Sequence, residues 1–286
     1  MGFRDQVPQL QTLETMMGAC MDLGFKGKSY VLLGGSRGMG YEAARVLAAE
    51  GARLTLISRT AAQVEGAAHQ ISDEFGADAI GIVADAMKPN QIEEAVSRSI
   101  NRFGPPRGLL VTSGLTFHNG TALTTTDADW EHNFQDVLMG TVRAVRAVLP
   151  TMLEAGGGQI VTTGAYSARA AKGFLFPYAS LKAAIINFTK NLAKTYGPDG
   201  IRANCVCPGA FATVRVNERI KEAMAAQSIS QPYAAAYVMK EVFGMPVALE
   251  RPGEASEAGE LMAFLLSERA AYMTGAIVNI DGGTDF

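Results

Sequence analysis

The chain of 286 residues is 48% hydrophobic and 19% charged, and its 25 basic and 28 acidic side chains leave a net charge of −3. This is the composition of an ordinary globular protein, and its slightly acidic balance offers no basic patch for nucleic acid. No apolar run approaches the roughly 18 residues of a membrane helix, and the first residues lack the basic start and apolar core of a secretory signal, so we expect a cytoplasmic protein with neither a membrane nor a nucleic-acid partner.

Residues 1–21 precede the first predicted strand by more than a folded domain needs. Four apolar side chains in this segment have rough helical spacing, which fits an amphipathic arm used in assembly, or a frayed tail. Alternatively, Met21 is the natural translation start. We therefore expect an N-terminal extension over 1–21 and a single domain over 22–286. The four apolar residues are Leu10, Leu13, Met16 and Met17.

The stretch from 28 to 59 predicts a strand, a tight glycine-rich turn, a helix and a second strand. The strands are predicted over 30–33 and 54–57, and the helix over 41–50. Glycine lets a backbone turn sharply and approach a ligand closely, and a helix N-terminus offers free N–H groups to a pyrophosphate. In this β-α-β setting the turn therefore indicates a dinucleotide site, although glycines also serve turns for purely conformational reasons. The turn glycines are Gly34, Gly38 and Gly40.

Strands and helices alternate through the rest of the chain. Further strands are predicted over 78–84, 108–112, 159–163, 201–206 and 276–280. Further helices are predicted over 60–75, 90–103, 127–153, 177–196 and 254–267, with a variable, aromatic-rich helical segment over 214–247. This alternation predicts a parallel sheet with helices on both faces, whose ligands bind beyond the carboxyl ends of the strands.

The three cysteines are too few and too unevenly placed for a disulfide framework. We expect buried thiols in a reducing compartment, with Cys205 and Cys207 on opposite faces of a strand. No metal site is predicted, because Cys20 and these two residues form no ligand spacing with the histidines, which are His69, His118 and His132.

Tyr178 and Lys182 are four residues apart in a predicted helix and therefore lie on one helix face. A tyrosine hydroxyl has an unperturbed pKa of about 10, and a nearby ammonium favours the phenolate. Such a pair can exchange a proton with a carbonyl or alcohol oxygen. Taken alone, the spacing fits an amphipathic surface pair with Tyr178 half-buried at least as well.

Taken in order, these motifs make the chain resemble the short-chain dehydrogenase/reductase family, over nearly all of 27–283. The motifs are GGSRGMG at 34–40, Asp85 after the third strand, YASLK at 178–182, Cys207-Pro208-Gly209 with Thr213, and Asp281-Gly282-Gly283. The resemblance implies a three-layer doubly wound (Rossmann) α/β fold with a mostly parallel seven-stranded sheet. It also implies an oxidoreductase that interconverts a ketone or aldehyde and an alcohol.

In that family one domain holds both cofactor and substrate, and the resemblance makes Tyr178 the general acid/base, assisted by Lys182. It places Asp85 at the adenine amino group and the segment 208–213 beside the nicotinamide. The positions it assigns to the cofactor are Gly34, Ser36, Arg37, Gly38, Met39, Gly40, Ser58, Arg59, Asp85, Ala86, Ser113, Gly114, Tyr178, Lys182, Pro208, Gly209, Phe211 and Thr213.

Charge at the end of the second strand favours NADP(H) over NAD(H). An acidic residue there would bind the ribose 2′-hydroxyl and repel a 2′-phosphate. The chain instead has Ser58 and Arg59, with Arg37 in the glycine turn. Guanidinium groups suit phosphate bidentately, although both could simply be solvated.

Two departures from the family pattern concern the chemistry. Val137 stands where the family has an asparagine that supports a water relay to the lysine. Ala165 stands where the family has a serine that hydrogen-bonds the substrate oxygen, and the loss of such a donor costs several kcal/mol of transition-state stabilisation. Tyr166 or Ser167, which follow directly, could bring in a hydroxyl.

Two further departures concern the cofactor loops. Leu33 replaces the threonine that usually precedes the glycine turn, which removes a hydroxyl that ties the loop to neighbouring strands. The family's Asn-Asn-Ala-Gly run appears as Thr112-Ser113-Gly114-Leu115, which keeps small polar residues.

These departures leave open a protein that binds a dinucleotide without turnover and acts as a regulator or scaffold. The retained Tyr178 and Lys182 argue against it. An enoyl reductase is a third alternative, but that branch spaces its tyrosine and lysine further apart.

The substrate is expected to be an apolar or cyclic small-molecule carbonyl or alcohol. Phe174 and Phe176 precede the predicted catalytic pair, and further aromatic residues lie in or near the variable segment over 214–247, which matches the family's lid. These residues could equally pack the lid or a subunit contact. Family members form dimers or tetramers, so we expect a homo-oligomer, paired through the helices over 127–153 and 177–196. An apolar stripe in the former helix could equally face its own sheet: Val142, Val145, Val148 and Leu149.

Overall fold

The computed structural model describes residues 22–114 and 119–284. The predicted extension over 1–21, with its four apolar residues and Cys20, lies outside the described residues. Leu115 and His118 also lie outside them.

Within the described residues, seven strands form one sheet in the order β3-β2-β1-β4-β5-β6-β7. Every neighbouring pair is parallel, so the predicted three-layer doubly wound architecture is confirmed. The strands are β1 (Ser29–Leu33), β2 (Arg53–Ser58), β3 (Ala79–Val83), β4 (Gly108–Val111), β5 (Gly158–Thr163), β6 (Ile201–Pro208) and β7 (Ile277–Ile280).

Helices cover both faces of the sheet, because each strand-to-strand crossover carries one or more of them. The described helices are α1 (Gly38–Ala49), α2 (Ala61–Phe75), α3 (Pro89–Phe103), α4 (Asp127–Asn133), α5 (Gly140–Glu154), α6 (Phe176–Tyr196), α7 (Val214–Gln227), α8 (Gln231–Tyr237) and α9 (Ala255–Leu266). Among the described residues there are also two π-helical turns, Phe134–Met139 between α4 and α5 and Val238–Val242 after α8, and three short 3-10 helices, Tyr166–Ala168, Gly197–Asp199 and Glu268–Ala270.

The core has one layer on each side of the sheet. Helices α1, α2 and α9 pack on one face, around Leu47 and Met262. Helices α3, α5 and α6 pack on the other, around Val148 and Ile160. Val145, Val148 and Leu149 belong to this second layer, so most of the predicted stripe on α5 faces its own sheet.

The predicted element boundaries differ from the structure in two places that matter for function. Helix α1 begins at Gly38 rather than at 41, so the glycine turn runs directly into its first turn. The long helix predicted over 127–153 contains a wide π turn, because one extra residue is accommodated between α4 and α5.

The sequence order of the strands reverses between β1 and β4. From β1 the sheet continues to β2 and β3 on one side, and from β4 it continues to β5, β6 and β7 on the other. Loops at the carboxyl ends of these two strands are therefore free to diverge and leave a crevice. The glycine turn follows β1 and residues 112–114 follow β4, so the topology places both at the crevice.

Candidate functional site

The glycine turn is packed so closely that side chains are excluded from it. Gly34 has φ +94°, and a Cβ built on it would lie 2.6 Å from Thr112 Oγ1. A Cβ on Gly40 would lie 2.5 Å from both the Gly34 carbonyl oxygen and Thr112 Oγ1. The backbone between them therefore stays bare and open to a ligand, as a pyrophosphate site requires.

Thr112 ties the turn to the neighbouring strand. Its hydroxyl donates to the carbonyl oxygen of Gly34 at 3.1 Å and lies 3.4 Å from that of Leu33. In the family, a threonine at the position of Leu33 ties the loop to neighbouring strands. Here the Thr112 hydroxyl, after β4, makes such a tie from the other side of the switch point.

The N-terminus of α1 keeps its N–H groups available. Arg37 occupies the N-cap position without a side-chain hydrogen bond, and its side chain is exposed. Ser36 and Met39 are partly buried, and Met39 packs against the core. A recess of about 390 Å³ opens beside the turn, between α1 and α2; it is lined by Ser36, Arg37, Gly38, Tyr41, Ala62, Gln63, Gly66, Ala67 and Gln70.

Orphaned hydroxyls mark the same crevice. Ser58, at the end of β2, and Ser113, after β4, each have a buried Oγ with no hydrogen-bond partner among the described residues. Arg59 is exposed next to Ser58. Asp85 is partly buried, and one of its carboxylate oxygens accepts a hydrogen bond from the N–H of Met87 at 3.0 Å. The hydroxyl donors and the bare backbone fit a dinucleotide.

Tyr178 and Lys182 lie on the face of α6 that covers β5 and β6. Lys182 is 2% exposed, and its Nζ donates to the carbonyl oxygen of Thr163, the last residue of β5, at 2.9 Å. The Nζ also lies 5.6 Å from the centroid of the Tyr178 ring. The predicted pair is therefore brought together at the carboxyl edge of the sheet, and the surface-pair alternative is wrong for Lys182.

Burial shifts the pKa of both groups towards their neutral forms. It lowers the pKa of Lys182 to about 8, against raising contributions from Cys205, Asp136 and Cys207. Burial raises the pKa of Tyr178 to about 12, and Cys207 adds to that rise. The protein's own groups thus do not lower the pKa of Tyr178, and the predicted lowering depends on a bound cation.

Cys205 and Cys207 lie beneath this pair on the same face of β6, so the prediction of opposite faces is wrong. Residues i and i+2 of a strand share a face. Both thiols are free and buried, and both pack with Val137 and Leu181. A hydrogen bond between the two thiols lowers the pKa of Cys205 and raises that of Cys207.

The residues at the departures from the family pattern are buried but differ in chemistry. Val137 is fully buried in the apolar cluster beside α6. Ala165, Tyr166 and Ser167 follow β5 and are buried as well, and burial raises the pKa of Tyr166 to about 12. Tyr166 also lies under Lys172, whose Nζ is 5.7 Å from its ring centroid.

The segments after β6 form the far side of the crevice. Phe211 packs its ring against the bare Cα of Gly253, and Thr213 caps α7 by accepting from the N–H of Val216 at 3.3 Å. Gly209, which directly follows Pro208, donates its N–H to the carbonyl oxygen of Ile280 at 2.9 Å.

Helices α7 and α8 have a small core of their own, which includes Val216 and Val238 and against which Phe243 packs. Lys172 joins the β5–α6 loop to this unit by donating to the carbonyl oxygen of Gly244 at 3.1 Å. Phe243 therefore packs within this unit, while Phe174, on the β5–α6 loop, is 56% exposed.

Two functionally placed residues were missed by sequence reasoning. Thr112 was noted only as part of a small polar run, and its bond to the glycine turn was not predicted, although a polar residue directly after a buried strand is the signal that could have found it. Asp136 precedes Val137 and is 6% exposed. Its burial depends on the π turn, which the sequence pattern did not predict. Ala86 lies against the same turn, since a Cβ on Gly140 would be 2.9 Å from its Cβ.

Across 22–114 and 119–284, no group of three or more His, Cys, Asp or Glu side chains is placed to hold a metal ion. The same residues contain no helix that combines the length and apolarity needed to span a bilayer.

Comparison with known proteins gives consistent matches along the chain. A family model described as Enoyl-(Acyl carrier protein) reductase matches residues 34–285. The chain is 32% identical to the short-chain dehydrogenase/reductase aba4 of Botryotinia fuckeliana, over 91% of this chain and 97% of the relative. It is 31% identical to levodione reductase of Leifsonia aquatica, over 91% and 94%. The crystal structure of L-sorbose reductase from Gluconobacter frateurii, complexed with NADPH and L-sorbose, superposes with a TM-score of 0.83 at 29% identity, over 92% and 98%.

Proposed function

The chain belongs to the short-chain dehydrogenase/reductase family, and we propose that it is an NADP(H)-dependent oxidoreductase that interconverts a ketone or aldehyde and an alcohol. The observation that carries this proposal is the contact of buried Lys182 with Tyr178 at the carboxyl edge of the sheet. Burying an ammonium costs free energy, and buried titratable groups with perturbed pKa values cluster at functional sites. Similar proteins named as reductases, one of them complexed with NADPH, support the same activity.

Tyr178 is the proton donor to the carbonyl oxygen in reduction and the acceptor from the alcohol in oxidation. The nicotinamide supplies or takes up the hydride. With the cofactor bound, the positive charges of Lys182 and of an oxidised nicotinamide would together favour the phenolate form of Tyr178, against the burial that raises the pKa of this tyrosine. The Thr163 carbonyl fixes the position of the Lys182 ammonium by accepting its hydrogen bond.

The preference for NADP(H) rests on charge at the crevice. Arg37 at the N-cap of α1 and Arg59 directly after β2 are both exposed, and β2 ends at Ser58 rather than at a carboxylate. Two guanidinium groups and a free hydroxyl suit a 2′-phosphate, whereas NAD(H) would leave them without a ligand. The glycine turn, Asp85, Ala86, Ser113, Gly114 and residues 208–213 would hold the remainder of the cofactor.

The proposed substrate is an apolar or cyclic small molecule that enters between Phe174 and the α7–α8 unit. Ala165 cannot donate to its oxygen, so a hydroxyl from Tyr166 or Ser167 is the proposed replacement.

A second candidate function is dinucleotide binding without efficient turnover. The observation that favours it is the loss of two polar side chains at once, since Val137 and Ala165 are both buried and apolar. An enoyl reductase, which the description of the matching family model names, is less compatible with only three residues between Tyr178 and Lys182.

The two candidates are separated by NADPH oxidation against a panel of apolar and cyclic ketones and aldehydes. Wild type is expected to turn over, and Tyr178→Phe to lose about 100-fold or more. Tyr272→Phe is the matched control, because Tyr272 is fully exposed. If wild type and Tyr178→Phe are equally inert while NADPH still binds, the enzyme proposal fails.

We further propose a homo-oligomer, a dimer or tetramer, in which residues 22–286 act as one domain in the cytoplasm. Exposed aromatic residues on neighbouring elements, Trp130, Phe134 and Phe176, support a contact near α4 and the start of α6. The free thiols of Cys205 and Cys207 accord with a reducing compartment. A monomer mass by light scattering would refute the assembly.

A further inference from the structure

Lys182 is a buried ammonium whose hydrogen bond to Thr163 is to a neutral carbonyl. A neutral acceptor does not balance a buried charge, and burial accordingly lowers the pKa of Lys182 to about 8. Near neutral pH, the charge on Lys182 therefore depends on the acidic groups around it.

Titratable groups from three elements surround Lys182 or act on it through their charge. Tyr178 comes from its own helix, Cys205 and Cys207 come from β6, and Asp136 comes from the π turn. The two thiols share a hydrogen bond, so at most one of them ionises readily. Asp136 is the carboxylate in this set, and its field acts on Lys182 in the direction opposite to burial.

The π turn is what brings this carboxylate to the site. The turn packs closely against residues 112–114, which follow β4. A Cβ built on Gly114 would lie 3.0 Å from Val137 Cα and 3.4 Å from the Asp136 carbonyl oxygen. On its other side, Val137 packs with Leu181, the neighbour of Lys182, and with Ile185. Asp136 is 6% exposed, so its carboxylate lies within this packing rather than in solvent.

Side chains bond to backbone carbonyls in the wide turn and in the loop beside it. Arg143 donates to the carbonyl oxygen of Gln135 at 3.3 Å and to that of Ala86 at 2.9 Å. Thr141 donates to the carbonyl oxygen of Val137 at 3.1 Å. The turn is thus a built feature of the chain, as π turns at functional sites commonly are.

We propose that Asp136 is a positioning residue whose carboxylate, carried by the π turn, stabilises the ammonium form of Lys182 and so supports proton exchange at Tyr178. This rests on the proposed function of the pair. Val137 cannot give the polar support that the family's asparagine gives at this position. The proposal assigns that support to Asp136, one residue earlier, as a carboxylate charge rather than an amide.

The test titrates Lys182 directly in the full chain, without cofactor or turnover. Lysine is labelled with ¹³C at Cε, and Lys182→Arg identifies the signal. In Asp136→Asn, the titration midpoint of Lys182 is expected to fall by about one unit. Asp127→Asn, on the exposed start of α4, is the matched control and should leave the midpoint unchanged.

Asp136→Ser, which is smaller and also uncharged, repeats the measurement if the asparagine variant does not fold. A folded, uncharged variant whose Lys182 midpoint equals that of wild type overturns the proposal, whatever its melting temperature. This outcome is independent of the carbonyl panel, which decides the proposed function.

A second readout uses any carbonyl that wild type reduces. For Asp136→Asn, kcat is expected to fall about tenfold above neutral pH, and its alkaline limb to move to lower pH by the same unit as the lysine midpoint. KM should change much less than kcat. An unshifted pH profile would indicate a structural role for Asp136 and would overturn the proposal.

Discussion

The hydroxyl of Thr112 donates a hydrogen bond to the carbonyl oxygen of Gly34 at 3.1 Å, and this bond joins the two loops on either side of the topological switch point. The bond holds the glycine turn from the β4 side, although Leu33 offers no hydroxyl from the β1 side. The shape of the predicted cofactor crevice therefore depends on a residue outside the glycine motif.

Replacing Thr112 should weaken cofactor binding. Thr112→Val keeps the shape of the side chain and removes the hydrogen bond, which is worth about 1 kcal/mol, so the NADPH dissociation constant should rise about fivefold. NADPH fluorescence titration measures this. Thr112→Ser keeps the hydroxyl and should bind as wild type does; a serine variant as weak as the valine variant would contradict the hydrogen-bond explanation.

Arg37 and Arg59 should discriminate between the cofactors. Each charge-assisted contact to a phosphate is worth about 1.5–3 kcal/mol, so Arg37→Ala and Arg59→Ala should each weaken NADPH binding by about 10-fold to 100-fold. NADH affinity should change little, because NADH has no 2′-phosphate. Arg98→Ala, exposed on α3, is the control. Equal losses for NADPH and NADH would refute the selectivity.

Phe174→Ala should change substrate preference more than NADPH affinity. The side chain is more than half exposed on the loop opposite α7 and α8, where it can contact a substrate without supporting the core. Relative kcat/KM values for the carbonyls that are turned over would show the change, and Leu123→Ala, at another highly exposed apolar position, is the control. An equal loss of NADPH affinity would rule out the pocket assignment.

Gly164→Ala should destabilise the protein through the two thiols. The added Cβ would lie 2.8 Å from Cys207 Sγ and 3.1 Å from Cys205 Sγ. Such overpacking costs about 1–3 kcal/mol in the free energy of unfolding. Chemical denaturation should show this loss, and Cys207→Ala in the same chain should restore part of it. Absence of that rescue would argue against both sulfurs lying under Gly164.

Because Lys182 is buried, the free energy of unfolding should depend on pH in the alkaline range. Burial holds its pKa at about 8 in the folded chain, below the usual value of about 10.4. Between these values the unfolded chain binds the extra proton, so the free energy of unfolding rises with pH. Relative to Lys182→Met, wild type should gain up to about 3 kcal/mol between pH 7 and 10.5. Parallel urea-unfolding results for the two proteins across this range would contradict it.

The elements and the shared helix of Tyr178 and Lys182 were accessible from local patterns. The apolar run at 30–33 and the four-residue spacing of this pair are properties of neighbouring residues, and the structure confirms the strand and the helix. The catalytic role of the pair stays a prediction. The face shared by Cys205 and Cys207 is also a local property, and there the prediction was wrong through a misapplied strand period rather than through missing information.

The sequence by itself determined the alternation of strands and helices, the glycine turn and the family, because these depend on residue types at short, fixed spacings. Only the tertiary structure decided that Thr112 binds the glycine turn, that the α5 stripe faces its own sheet, and that the π turn with buried Asp136 packs against α6 beside Lys182. Each of these joins residues tens of positions apart, and Asp136 depends also on a π turn that shifts the helical register. Contacts of that kind follow from how elements pack, which no spacing along the chain encodes.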